Sequence, residues 1–244
     1  MISSLSRLSS IAAKSNQPNI RFNGSLPISI KVLEELPLNR YKLLLGNREF
    51  TTKSQKKLKK GAYYWGNFGE GKGGIVTISN LIAKPSFLED ETSFLDIDLE
   101  NFLEEVFAQA YPMRFFKNWI LNALALDNIG KEAFKSLSNM LLSLNHHVVH
   151  LPFKSSNKPI LVQFQSNFNK ELKFYFAYDN LGPMRGILKE LQGSFFLALE
   201  VCFEKSLYFL NKELKTKNFE YEIRINKTIE PLFDSEKMVL DIKG

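Results

Sequence analysis

Residues 174–188 bring two apolar runs together at a corner formed by Leu181, Gly182 and Pro183, and this corner constrains the fold more than any other stretch. Ahead of it, Leu172, Phe174, Phe176 and Tyr178 alternate with Lys173, Tyr175 and Ala177, the period of a half-buried strand. Pro183 has a fixed φ and no amide proton, which suits a strand entrance or an edge. Gly182 supplies backbone angles that a side chain would forbid. Beyond the corner, 184–191 and 194–203 read as two further strands. An amphipathic helix over 204–217 and a last strand over 219–225 complete the order.

That order, strand, Leu-Gly-Pro corner, strand, strand, helix, strand, resembles the C-terminal domain of the flagellar hook-length control protein family. The family places a Leu-Gly-(Pro or similar) corner between its first two strands, ahead of a helix with regularly spaced leucines. The matching positions are Leu181, Gly182 and Pro183, then 195–201, then Leu207, Leu210 and Leu214. The resemblance covers roughly 159–226. It implies a non-enzymatic docking protein that uses no cofactor. Its C-terminal domain would meet the cytoplasmic domain of the flagellar export-gate switch protein and help change the exported substrate class from hook to filament. The corner and its neighbouring strands are associated with that role in the family, so Leu181, Gly182 and Pro183 are the docking residues it implies. The long Pro/Gln/Ser-rich region that serves the family as a ruler has no counterpart in this sequence. The localisation implied is cytoplasmic, with export through the flagellar apparatus open to the N-terminus.

The rest of the chain predicts an α+β protein in several parts. Residues 1–25 are rich in Ser and Asn and carry no acidic residue, the first being Glu34. They read as a disordered terminus; an export signal and a mitochondrial transit peptide share that composition. Over 26–84 five short β patterns (28–32, 41–45, 48–52, 62–68 and 74–79) predict a small barrel of the OB or SH3 kind. Its Arg40-Tyr41-Lys42-Leu43 and Leu58-Lys59-Lys60-Gly61 elements are similar to those of small β-domains found in distant relatives of the same family. Over 85–145 three helices form a connector. The first has Asp98 as N-cap and Leu99, Phe102, Leu103, Val106 and Phe107 on one face. The second starts at Pro112, with Phe115, Phe116, Trp119, Ile120 and Leu124 apolar. The third, over 132–144, turns Phe134, Leu137, Leu141 and Leu144 inward. Residues 146–226 form an α/β sandwich of mixed strands with one main helix, and 227–244 a tail.

Charge is uneven. Ten Lys and Arg face two Glu over 40–84, whereas 89–105 holds eight acidic residues and no basic one. Pairing of the two blocks within the fold is one outcome, and a basic face for an acidic partner or nucleic acid is another. The second outcome gives a rival function. Lys53, Lys56, Lys57, Lys59 and Lys60, followed by Tyr63, Tyr64, Trp65 and Phe68, could track a single-stranded backbone and stack its bases. Alternation puts Tyr63 and Trp65 on one face and Tyr64 on the other, so all three cannot serve as platforms.

Other motifs point away from chemistry. Residues 66–73 satisfy Gly-x4-Gly-Lys, but Gly73 stands where a phosphate loop needs Ser or Thr, and a strand pattern comes next where a helix is needed. His146, His147 and His150 lie in a β-prone stretch that puts His147 opposite the other two, with no ligands to complete a metal set. Cys202 sits in an apolar run and reads as a core residue. No catalytic constellation has a readable spacing, and no apolar run reaches the roughly 18–20 residues of a membrane span.

Overall fold

The computed structural model describes residues 26–54, 56–70, 76–85, 88, 94–155, 158–167, 170–217 and 219–235. The chain divides into two compact units after Pro85.

The first unit is an antiparallel sheet of β1 (Ile28–Leu36), β2 (Arg40–Leu45), β3 (Arg48–Lys53), β4 (Tyr63–Glu70) and β5 (Val76–Ala83). Their spatial order is β3-β2-β1-β4-β5. Alternation makes one face: Ile28, Ile30 and Val32 pack with Tyr41, Leu43 and Leu45, closed over by Leu58. Half-buried Phe50, Tyr64, Ile78 and Leu81 rim this core. The turn between β1 and β2 holds Leu38 and Asn39 at φ 63° and 54°, and the Arg40 guanidinium caps it on the Pro37 carbonyl. The sheet is open. Closing it into a barrel would require β3 to pair with β5, and these two are its edges. Along β3, half-buried residues alternate with exposed Glu49, Thr51 and Lys53, and none is fully buried. A charged, half-wet edge strand gains little by closure and resists edge-to-edge pairing.

The second unit stacks helices on a six-stranded sheet. Its helices are α1 (Leu99–Phe107), α2 (Pro112–Leu124), α3 (Lys131–Asn145) and α4 (Glu204–Leu214). Its strands are β6 (Val149–Ser155), β7 (Lys158–Asn167), β8 (Glu171–Tyr178), β9 (Gly182–Leu191), β10 (Ser194–Val201) and β11 (Glu220–Ile225), in the order β11-β10-β9-β8-β7-β6. Each neighbour pair is antiparallel except β10 and β11, which α4 joins by a crossover and which therefore run parallel. The sheet is mixed for that one reason.

The three helices expected as a connector share a core with this sheet. Phe116, Ile120, Leu137 and Met140 pack on Leu151, Phe153, Ile160 and Val162. Phe102 sits edge-on to Phe116, Trp119 and Phe153. Leu207 and Leu210 of α4 cover Phe174, Met184, Leu199 and Val201 of the same face. Each side chain fully buried here stabilises the fold by about 1.5–3 kcal/mol. Asp98 caps α1, its carboxylate accepting from the Asn101 amide at 3.1 Å, and Pro112 opens α2. Two residues expected inward point out: Phe107 is 64% exposed and Phe134 is 50% exposed. The buried stripe of α3 is Ser136, Leu137, Met140 and Ser143. Its two serines let the helix approach closely, and the Ser143 hydroxyl donates back to the Met140 carbonyl.

The outer edge of β6 is covered by the chain's own backbone. The Leu95 amide donates to the Pro152 carbonyl and the Lys154 amide to the Ile97 carbonyl.

Candidate docking surfaces

The Leu-Gly-Pro corner is locked from within. Gly182 has φ +74°, and a Cβ there would lie 2.5 Å from the Phe203 ring. Leu181 is half-buried, whereas Gly182 and Pro183 are buried. The Ser206 hydroxyl, in the first turn of α4, donates to the Leu181 carbonyl at 2.7 Å. The corner therefore ties the start of β9 to the start of α4. Asn180 in the turn is exposed, and Tyr208 on α4 is 77% exposed.

The basic segment is divided by burial. Lys53, Lys56, Lys57, Lys59 and Lys60 are exposed. Trp65 is only 1% exposed, with the Lys84 ammonium 5.1 Å from its ring centre. Tyr63 is half-buried beneath Lys31, and the Tyr64 hydroxyl accepts the Lys59 amide, pinning the lysine loop to the sheet. Trp65 is thus closed to a stacking base, and Tyr63 is the aromatic that remains on that face. The side chain of Phe68 lies outside the described residues, as do residues 71–75 of the Gly-rich segment. The next element after that segment is β5, a strand paired with β4, where a phosphate loop would need a helix.

The histidines separate. His146 ends α3 and His147 comes next at φ 58°. His150 lies inside β6 and is buried. No group of three or more His, Cys, Asp or Glu able to hold a metal is found among the described residues. Burial alone pushes His150 down to about 3, so its ring is neutral at ordinary pH. Burial likewise raises the Cys202 thiol to about 11, against thiolate chemistry.

A polar row crosses the face of the second sheet opposite to α1–α4, and the sequence pattern had not suggested it. Strand register aligns His150 with Gln163, Gln163 with Tyr175, Tyr175 with Arg185, Arg185 with Glu200, and Glu200 with Arg224. The adjacent row on the helix-covered face is Leu151, Val162, Phe176, Met184, Val201 and Ile225, all apolar. At one end of the polar row the Arg224 guanidinium and the Asn226 side chain both donate to Glu200, which holds that carboxylate below its ordinary range.

At the other end the row is met by residues 226–235, which include the described part of the expected tail, 227–244. The Asn226 amide bonds to the Val201 carbonyl, and the chain then turns back across the sheet. Gln163, fully buried, receives it. Its Oε1 accepts the Leu232 amide at 2.8 Å and the Phe233 amide at 3.2 Å. Its Nε2 donates to the Phe233 carbonyl at 2.7 Å and to His150 Nδ1 at 2.8 Å. All four hydrogen-bonding positions of the amide are used. The Phe233 ring, 2% exposed, contacts both His146 and His150. Beside Gln163, the Tyr175 hydroxyl is buried without a hydrogen-bond partner, and burial raises its pKa.

No helix among the described residues is long and apolar enough to cross a membrane. Comparison with protein-family models, curated proteins and solved structures found no match for this chain.

Proposed function

We infer that this is a non-enzymatic docking protein of the hook-length-control kind, whose second unit binds the cytoplasmic domain of a flagellar export-gate switch protein. The observation that supports it is the corner in its setting. Leu181 lies between β8 and β9, Gly182 and Pro183 open β9, and β10, α4 and β11 come after them, the order that the resemblance requires. Gly182 and Pro183 are buried, so on this reading they act by shape. They fix where β9 and α4 begin, and so where the exposed Tyr208 of α4 stands. Partner contact falls to that exposed residue. Mechanistically this is recognition between surfaces, with no covalent step and no cofactor, in the cytoplasm. The test is capture of the purified switch-protein domain by the full-length chain. Tyr208→Arg, an exposed change that leaves the fold intact, abolishes capture; undiminished capture would refute the reading.

A second reading has one observation in its favour. Five lysines are exposed, Lys53 at the end of β3 and Lys56, Lys57, Lys59 and Lys60 in the segment leading to β4, where Tyr63 is the first residue. They would bind a single-stranded nucleic acid through its phosphates, with the open sheet as platform. Closure into a barrel, β3 against β5, is a further step that such binding does not need. Binding of this kind weakens steeply with salt and disappears when Lys56, Lys57, Lys59 and Lys60 become Glu. The burial of Trp65 removes the stacking that would add base contacts, which ranks this reading second.

A further inference from the structure

We propose that the outer edge of β11 pairs with the same edge of a second copy of this chain. The two strands run antiparallel about a two-fold axis at Ile223, and the two six-stranded sheets join into one. This goes beyond the docking reading and uses none of the residues assigned to it.

The two edges of the second sheet are finished differently. β6 carries Pro152, and the backbone of Leu95 and Ile97 meets its outer side. β11 carries no Pro and no Lys, runs in unbroken register with β10, and has no strand beyond it among the described residues. Pro, Lys and bulges are the devices that keep an edge from pairing. With none of them, β11 keeps the form that another strand can extend.

The backbone fixes which residues pair. The Asn226 amide donates to the Val201 carbonyl. In a parallel ladder that bond belongs to a residue whose amide and carbonyl both face the neighbouring strand, and the two sides alternate along the chain. Glu220, Glu222 and Arg224 therefore share the inward orientation of Asn226. The amides and carbonyls of Tyr221, Ile223 and Ile225 point outward, toward the edge. Their side chains lie on the face beneath α4: the Tyr221 hydroxyl donates to the Asn211 carbonyl, and Ile223 packs in the cluster of Leu207 and Leu210. Ile225 is 38% exposed.

Charge selects both the register and the occupant. With Ile223 on the axis, Tyr221 meets the partner's Ile225, and Ile223 meets its own counterpart, as hydrogen-bonded pairs. Glu222 then faces the partner's Arg224, and Arg224 faces the partner's Glu222. These are the closer, non-hydrogen-bonded pairs, with Cα atoms about 4.5 Å apart. The Arg224 side chain is 69% exposed. Its planar fork has donors to spare for a second carboxylate beyond Glu200. Moving the axis one residue either way sets Glu222 against its own copy, or Arg224 against its own, and like charges directly opposite oppose pairing. One register satisfies backbone, apolar row and charge together, and it is a register of the strand with itself. A surface complementary to itself is what a two-fold dimer needs. The edge β3 of the first unit differs, because its Glu49 is already paired with Lys42 at 2.6 Å.

The test uses the full chain in sedimentation equilibrium at about 10–100 μM. Wild type sediments at twice the chain mass. Glu222→Arg and Arg224→Glu each place like charges across the axis, and each weakens the dimer at least about tenfold. Mixed in equal amounts, the two variants regain a dimer, because every pair across the axis is then of opposite charge. In hydrogen exchange, the amides of Tyr221, Ile223 and Ile225 exchange at least about tenfold more slowly in wild type than in Glu222→Arg, while those of Glu222 and Arg224 are unchanged. Arg224→Glu also removes the partner of Glu200, so near-UV circular dichroism checks its fold. If it unfolds, Glu222→Arg, a change at an exposed site, decides by mass and exchange alone. A monomeric wild type would overturn the proposal, whatever else covers the edge. So would a dimer that ignores Glu222→Arg, or two folded variants that stay monomeric on mixing.

Discussion

Gly182 and Gly46 separate two costs that a glycine can hide. Both have positive φ, but an added Cβ at Gly46 meets nothing within 4 Å, whereas at Gly182 it meets the buried Phe203 ring at 2.5 Å. Gly46→Ala should cost about 1–2 kcal/mol for the left-handed backbone alone. Gly182→Ala adds overpacking and should cost about 2–4 kcal/mol, a difference that denaturant midpoints will resolve. His150 makes a second prediction at this scale. Its folded pKa of about 3 lies below its ordinary 6.5, so the unfolded chain binds more protons between those values and stability rises with pH. As pH falls from 6.5 toward 3, stability should be lost at up to about 1.4 kcal/mol per unit. The lowered Glu200 carboxylate acts in the same direction at the acid end. Urea melts at pH 7, 6, 5 and 4 test this, and His150→Gln should flatten the slope between pH 6 and 5.

At the scale of elements, the hydroxyl of Ser206 is what joins β9 to α4. Ser206→Ala leaves the Leu181 carbonyl without its partner and should lower stability by about 1–2 kcal/mol. By contrast, reversing Lys56, Lys57, Lys59 and Lys60 to Glu changes only exposed groups and should leave each unit's melting close to wild type. Strands and helices were legible because their periods were clean: alternation along Ile28, Ile30 and Val32, a Pro at the start of α2, an Asp ahead of α1. The facing of α3 was not legible. Hydrophobicity favours Phe134, yet Ser136 and Ser143 are the buried positions, and small size leaves no mark on an apolar pattern. Barrel closure was illegible too, because it depends on whether two edge strands meet, which no local period encodes.

At the scale of the whole molecule, Gly182 and Pro183 of the corner are buried and the Leu181 carbonyl is held by Ser206, and residues 232 and 233 of the expected tail are bonded to Gln163. Both placements have one cause. Leu181, Gly182 and Pro183 are conspicuous in sequence for their backbone requirements, and such requirements are as often met by burial as by exposure. Gln163 stands inside an apolar strand and Phe233 inside a polar tail, so each looks like a local exception until the fold pairs them across seventy positions. Exposed aromatic side chains, Phe107, Tyr111, Phe134, Phe195 and Tyr208, lie on the second unit, and the exposed lysines at 53, 56, 57, 59 and 60 lie on the first. The most direct test is capture of the export-gate switch domain from native lysate by tagged full-length chain, with and without nuclease, beside Tyr208→Arg and the four-lysine reversal. The docking account predicts recovery of that domain, insensitive to nuclease and to the lysine changes and lost with Tyr208→Arg. Recovery of nucleic acid in its place, lost with the lysine reversal, would contradict it and leave the basic face of the first sheet as the functional surface.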